Sequence, residues 1–337
     1  MLPRLWLLGL LVGCPSLAVA APGPPLASRD ARRFTTEVKL TVVEAKVPAT
    51  TLDAAFAAVL AEFDRLDALL SEWRPDTPIA RLNAAGGQAV PMPAEAMGVL
   101  ETARLLAEVT RGGFDPTFAT LADLWRFDGK TPRPSEAAVA ARLPAVGYTH
   151  LALDPRAGTA RLTDPRTRIG LGAIAKGYAV ARARDLLRAR GIDAFCLKVG
   201  GELYCAGEKG PGQPWTVGIQ HPRDPKALVA SLPIKDAAFT TSGDYERVVT
   251  RPDGTRDHHI LDPHTGWPAR GVQSVTILAR DPTEADALST GVFVLGVKAG
   301  LALIEGMPGA EAVIIDAQGT LHTTRGLKGA LTLLKED

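Results

Sequence analysis

The chain has 337 residues, 46% of them hydrophobic, with 33 glycines and 26 prolines, which is material for one large domain or two tightly joined ones built of short elements punctuated by turns. Its 38 basic and 37 acidic residues leave a formal net charge of +1 without any Lys/Arg block, so no overall field draws it to nucleic acid or to an anionic membrane surface, and nucleic acid is not expected as a partner.

The chain starts like an export signal: Arg4, an apolar run over residues 5–12, then small residues ending in Ala18-Val19-Ala20 before Ala21-Pro22. Two processing routes fit. Leu11-Val12-Gly13-Cys14 has the form of a lipoprotein box, which would anchor the product through a lipid on Cys14, whereas Pro15 and the Ala-x-Ala site suit ordinary cleavage after residue 20. Residues 1–20 are set aside as a signal peptide, the product is expected to be periplasmic or exported, and the folded domain is expected over 28–337. The apolar run is shorter than the ~20 residues a spanning helix needs, and no later segment reads as a span.

Residues 34–46 alternate apolar and polar, with Phe34, Val38, Leu40, Val42 and Val43 among Thr, Glu and Lys, which predicts a strand. Over 51–73 the apolar positions Phe56, Val59, Leu60, Phe63, Leu66, Leu69 and Leu70 recur at helical spacing, with Thr50 and Thr51 as candidate caps. Helices are predicted over 94–111, stopped by Gly112-Gly113, and over 174–190, stopped by Gly191. From 195 to 250 the pattern turns to short strands between Gly and Pro, including 215–219. A strand at 273–279, helices at 282–295 and 298–307, a strand at 312–315 and a short strand or helix at 331–334 follow. There is no repeat, no convincing linker and no regular βαβ rhythm, so the pattern predicts an α+β domain on antiparallel or mixed sheet.

Once Cys14 leaves with the signal or is lipidated, Cys196 and Cys205 remain, symmetric about Gly200-Gly201. A two-residue turn there would pair 199 with 202 and 196 with 205, setting the cysteines opposite each other across a hairpin. An oxidising compartment would permit a disulfide, and two buried free thiols are the alternative.

The chain has no G-x-S-x-G, H-E-x-x-H, C-x-x-C, Walker loop or G-x-G-x-x-G opening a helix after a strand. What remains is a series of short segments rich in Gly, Asp, Thr and His: Ser71-Glu72-Trp73-Arg74-Pro75-Asp76, Gly113-Phe114-Asp115-Pro116-Thr117, Leu171-Gly172-Ala173-Ile174-Ala175-Lys176-Gly177, Val199-Gly200-Gly201-Glu202, Thr241-Ser242-Gly243-Asp244, His259-Ile260-Leu261-Asp262-Pro263-His264-Thr265-Gly266 and Ala285-Asp286-Ala287-Leu288-Ser289-Thr290. Asp286 and Thr290 stand four apart on a predicted helix, so their oxygens share one face as two ligands of a hard ion would; an acid near a helix start and a buried Thr read equally well without an ion. Gly172 to Tyr178 opens a helix whose free N–H groups suit a pyrophosphate, with Lys176 adding a full charge.

In this order, from about 34 to about 320, the segments resemble the ApbE family, the FAD:protein FMN transferases. The resemblance implies a single ApbE-like (T-fold-like) domain, α+β, with mixed or antiparallel sheet and flanking helices. It implies magnesium-dependent transfer of FMN from FAD to a Thr or Ser hydroxyl of an acceptor flavoprotein, an electron-transfer subunit facing the exported side, with release of AMP. It places Ala173 (through its carbonyl), Asp286 and Thr290 on Mg2+, and Phe34, Trp73, Asp115, Lys176, Thr241, Ser242, Ile260 and Asp262 against FAD. His259 is selected as the base over His258 and His264, with an expected pKa near ~6.5 and with Asp262 orienting it or binding the nucleotide. Two positions depart from the family. Gly170 stands where an Asp is usual, and Phe34-Thr35-Thr36 replaces Met-Gly-Thr. An FAD pyrophosphatase with water as acceptor and a non-catalytic FAD-binding protein are the rival functions.

Overall fold

Period-two alternation builds this fold by feeding two apolar cores from one sheet. The structure is a computed structural model and describes residues 23–334; the signal, both cleavage sites and Cys14 lie outside the described residues. In chain order the strands and helices are β1 (Leu26–Arg33), β2 (Thr36–Val43), α1 (Ala49–Leu70), α2 (Pro78–Ala84), β3 (Val90–Pro91), α3 (Ala94–Val109), α4 (Glu136–Arg142), β4 (Leu151–Asp154), β5 (Thr159–Leu162), α5 (Ala175–Arg188), β6 (Phe195–Val199) and β7 (Glu202–Ala206). They continue with β8 (Trp215–His221), β9 (Asp224–Ile234), β10 (Ala237–Gly243), β11 (Val248–Thr250), β12 (Arg256–His258), β13 (Val272–Ala279), α6 (Pro282–Glu305), β14 (Glu311–Asp316), β15 (Leu321–Thr323) and β16 (Thr332–Leu333). The main sheet runs β1-β2-β6-β7-β10-β13-β14-β15 with antiparallel neighbours throughout. The α+β reading holds, with the sheet antiparallel rather than mixed.

Alternate residues of single strands sort to opposite faces. On β14, Ala312 and Ile314 join the core beneath α1, α3, α5 and α6, while Val313 and Ile315 join the core beneath β8 and β9. Ala238 and Phe239 on β10 divide the same way. Helices therefore cover one face and the sheet β16-β9-β8 covers the other. Both cores contribute to a sheet with little freedom to shift register, because a one-residue slip would exchange them.

Several expectations are corrected. The predicted strand at 34–46 holds only as β2: Phe34 and Thr35, with φ of 50° and 62°, form the two-residue turn between β1 and β2, and residues 44–46 are a short 3-10 turn. Two consecutive positive φ values match the twist of a tight hairpin, and they displace Phe34 from the strand onto the ring of Phe63, 5.3 Å between centroids. Strand β1 was unforeseen because its sequence, LASRDARR, buries no residue and carries no apolar alternation. Thr50 and Thr51 are not caps: α1 begins at Ala49 after Pro48, whose carbonyl accepts the Leu52 N–H at 2.9 Å, and no side chain caps the end. That helix stops at Leu70 because Ser71 turns extended. The predicted helices at 282–295 and 298–307 meet as one element, α6, broken at Gly296, where φ is 75° and ψ 179°. Among the described residues α6 is long and apolar enough, by length and composition, to cross a membrane, contrary to the sequence reading, which had divided it; here it packs on β10, β13 and α5.

The cysteine geometry fits the hairpin reading. Val199 pairs with Glu202, Lys198 with Leu203, Leu197 with Tyr204 and Cys196 with Cys205, and the last pair forms a disulfide with a Cα separation of 4.2 Å. Gly200 takes φ of 61° in the turn, and a side chain there would collide with Thr36 at the neighbouring hairpin end.

Candidate active site

Helices α5 and α6 touch backbone to backbone at Gly177. A Cβ added there would lie 2.6 Å from Asp286 Cβ and collide with the carbonyl oxygen of Pro282. This approach lets the Gly177 N–H, one of the unpaired donors of the first turn of α5, donate to Asp286 Oδ2 at 2.8 Å. Lys176, the preceding residue, turns its ammonium into the same place: Nζ donates to Gly172 O at 2.9 Å, sits 2.9 Å from Glu202 Oε1 and lies 3.9 Å from Asp286 Oδ1. Glu202 arrives on β7, immediately after the Gly200-Gly201 turn, and is 4% exposed; Asp286 is 3% exposed. Burial raises the pKa of Asp286 and of Glu202, with Lys176 pulling each back down. For Lys176, burial lowers the pKa, but Asp286 and Glu202 more than offset it and hold the ammonium above its ordinary range. Two buried carboxylates thus share one lysine, and Glu202 Oε2 is buried without a hydrogen-bond partner.

One turn after Asp286, Thr290 stands beside Ser242 of β10, 3.3 Å between hydroxyl oxygens, and Ser242 also bonds Ser289 at 2.7 Å. Thr241 bonds the Thr276 hydroxyl at 2.9 Å. Ala173 lies in the turn that leads into α5, where Ile174 N and Ala175 N both donate to Leu171 O. Among the described residues no three His, Cys, Asp or Glu side chains gather as a metal site. The donors at the α5–α6 crossing are carboxylate, hydroxyl and backbone oxygens, a hard set that suits Mg2+ better than zinc. With Glu202 Oε2 buried and unpaired, this oxygen set has the chemistry to fit a hard cation.

His259 follows β12, and its N–H donates to Arg247 O at 3.1 Å. Its pKa is lowered to about 4, first by burial and then by His258, Arg247 and Lys176. The imidazole is therefore neutral at physiological pH, with a buried Nδ1 that has no partner. The value overturns the expected ~6.5, because desolvation penalises imidazolium and no carboxylate compensates. His258 is structural: Nε2 donates to Ala269 O at 2.8 Å and the ring meets Phe293 edge-on. Asp262 does not orient His259. It accepts from His264 Nδ1 and from the His264 N–H, both at 2.9 Å, closing its own turn.

The other expected residues are distributed unequally. Asp115 is buried and already satisfied: Oδ1 accepts from the Thr117 N–H at 2.8 Å and Oδ2 from the Tyr148 N–H at 2.7 Å. With His264, Arg111, Gly112, Tyr148 and Pro263 it lines a pocket of about 270 Å³. Next to it in the chain, Gly113 packs against the carbonyl of Gly291 on α6. Ile260 is buried and its carbonyl accepts from Ala269 N at 3.0 Å. Trp73 is 80% exposed on the bend after α1. A larger surface cavity of about 440 Å³, lined by Lys46, Asp193, Glu208 and Lys235, contains none of the expected residues. At Gly170 a Cβ would sit 2.9 Å from Ala119 Cβ and 3.2 Å from Glu72 Oε1, so this chain has filled the space beside the missing Asp. Glu202 is the functional candidate that residue-by-residue reading passed over, although it stood in one of the segments singled out.

Residues 34–314 match the ApbE family over most of the chain. The chain belongs to the ApbE family. A relative in Treponema pallidum (strain Nichols), named FAD:protein FMN transferase, is 34% identical over 311 residues, covering 87% of this chain and 85% of the relative. One of the same name in Escherichia coli (strain K12) is 33% identical over 288 residues, covering 80% and 81%. The crystal structure of the ApbE protein from Thermotoga maritima superposes with a TM-score of 0.82 at 31% identity, covering 91% of this chain and 99% of the other. That of the Pseudomonas stutzeri flavinyl transferase ApbE in apo form gives 0.78 at 28%, covering 92% and 98%. The ApbE-family chain is accordingly an enzyme, a transferase, on a single ApbE-like domain.

Proposed function

We propose that this ApbE-family protein transfers FMN from FAD to a Thr or Ser hydroxyl of an acceptor protein, with Mg2+, and releases AMP. The observation that carries the reading is the buried pair Asp286 and Glu202 sharing the Lys176 ammonium at the start of α5, near enough to the neutral His259 for that ammonium to help lower its pKa. Asp286, Thr290 and the Ala173 carbonyl would hold Mg2+, which supplies positive charge for the pyrophosphate oxygens. Lys176 adds a fixed ammonium for the phosphates, whereas the amides of Ala175 and Gly177 at the start of α5, expected from the sequence to face a pyrophosphate, are already bonded to Leu171 O and Asp286 Oδ2.

His259, neutral at physiological pH, takes the proton of the acceptor hydroxyl as its oxygen attacks the FMN phosphorus; the bond from that phosphorus to the AMP oxygen breaks and AMP departs. Phe34, whose ring rests against Phe63 at the β1–β2 turn, is the aromatic side chain that would meet the flavin. Trp73, exposed on its bend, is available for stacking on the same ligand. The Cys196–Cys205 disulfide supports an exported or periplasmic setting, consistent with the signal and with an acceptor flavoprotein on that side, an electron-transfer subunit. The decisive experiment is incubation of the purified protein with FAD and Mg2+, with and without an acceptor carrying a candidate Thr or Ser. AMP formed only with acceptor, together with flavin fixed to that protein, is the expected result. AMP without acceptor would replace the reading by a pyrophosphatase, and bound FAD without AMP by a binding protein.

A further inference from the structure

We propose that Glu202 is a further carboxylate ligand of the divalent cation held by Asp286, and that this cation and the Lys176 ammonium draw on the same pair of carboxylates. The inference rests on the reading of this site as cation-assisted phosphoryl transfer and adds a residue to it.

Glu202 is among the most enclosed charged groups of the described residues, with 5% of its side chain exposed. One oxygen has the Lys176 ammonium at 2.9 Å; the other is buried and unpaired. A carboxylate oxygen taken out of water without a partner is costly, and native structures seldom leave one so unless something else is to meet it. Relaxation towards solvent is closed to it. Glu202 is the first residue of β7, paired with Val199 on one side and Thr240 on the other, and the hairpin behind it is closed by Cys196–Cys205.

Lys176 cannot serve both acids equally, because its ammonium is 2.9 Å from Glu202 but 3.9 Å from Asp286. The charges facing this centre come from three elements and one loop: Lys176 on α5, Glu202 on β7 and Asp286 on α6, with Arg247 and His259 acting from the loop around β11 and β12. Two carboxylates face one adjacent ammonium, with the Arg247 charge beyond it; without a cation the pair can share a proton, Glu202 to Asp286, and a small hard dication is the ligand that can replace that proton and bind oxygens from both. Lysine and dication then compete for Glu202. A lysine released from that contact remains tethered at the start of α5.

The competition gives a test that a purely structural role would fail. Mn2+ binding to the full chain without FAD is measured by electron paramagnetic resonance and calorimetry for the wild type and for Asp286→Ala, Glu202→Gln, Glu202→Asp and Lys176→Met, with circular dichroism confirming the fold. Glu202→Gln should weaken binding roughly 10- to 100-fold, Glu202→Asp should keep more of it, and Lys176→Met should tighten it, by roughly tenfold, because the competing cation is gone. Should Glu202→Gln fail to fold, the Asp and Met variants carry the test. Wild-type affinity in a folded Glu202→Gln protein, or no tightening in Lys176→Met, overturns the proposal. If Asp286→Ala alone loses Mn2+, only Glu202 is removed from the site; if Asp286→Ala also binds normally, the cation reading of the whole site falls with it.

Discussion

Two buried aspartates, Asp257 and Asp286, have opposite surroundings. Asp257, fully buried, is matched from three sides: Arg133 grips it with Nε and Nη2 at 2.9 and 2.7 Å, Arg251 Nε reaches it at 2.8 Å and Arg270 Nη2 at 3.3 Å. Burial alone would raise its pKa, but Arg133 and Arg251 prevail and hold it below the ordinary carboxylate range. Asp286 has a backbone N–H and a lysine nearly 4 Å away, and its pKa is raised. The difference separates architecture from chemistry. A carboxylate surrounded by guanidinium groups ties a hairpin to the body, whereas the one buried with little positive charge is the one we propose to hold a cation.

The contrast can be broken most directly at Asp286. Asp286→Ala should reduce FMN transfer roughly 10³-fold or more, since a cation at phosphate supplies several kcal/mol, and should still unfold cooperatively; transfer at the wild-type rate in low-millimolar Mg2+ would refute the ligand assignment. His259→Ala should slow attachment of FMN by about 10²–10⁴-fold while FAD affinity, followed by fluorescence quenching, stays near wild type. The pH profile sharpens this. His259 is protonated and idle below a pKa of about 4 and becomes a base above it, so the acid limb of kcat/KM for the wild type should fall near pH 4 rather than 6.5, with a flat rate through neutrality.

Asp257→Ala should act on the other side of the comparison, as a loss of stability and not of chemistry. About 1–3 kcal/mol is expected, less than for a fully enclosed pair because solvent reaches Arg133 and Arg270; a denaturant melt reads it, and a catalytic defect larger than the loss of folded protein would contradict the division drawn here. Thr290→Val should give the smallest change, about tenfold weaker Mg2+ activation, the worth of one neutral polar contact.

Which of these residues the sequence made readable depended on how far apart their partners lie. The Cys196–Cys205 pairing was legible because a Gly-Gly turn sets the register of both arms, and the helical stripe from Phe56 to Leu70 was legible because it repeats. Strand β1 was not, since an edge strand with no buried residue has no alternation to detect. The four-residue spacing of Asp286 and Thr290 and the place of Lys176 at a helix start were readable locally, and the resemblance gave them roles. Glu202's part was hidden because the pairing with Lys176 arises only when β7 and α5 come together in space. The partner of Asp262 was misjudged for the opposite reason: His264, two residues on, is reached by a tight local turn that competes with any bond to His259.

Gly177 sets a dimension that no side chain can retune. Where two helices meet through side chains, drift in sequence can alter their spacing by a methyl group at a time and neighbours can repack around the change. At this crossing the gauge is a hydrogen atom, with Asp286 on one side and Lys176 next along the chain on the other. The separation of the acid and the ammonium is therefore inherited from main-chain geometry, insulated from gradual adjustment and open only to abrupt failure: a single added methyl at this point would wedge the helices and misplace both charges at once.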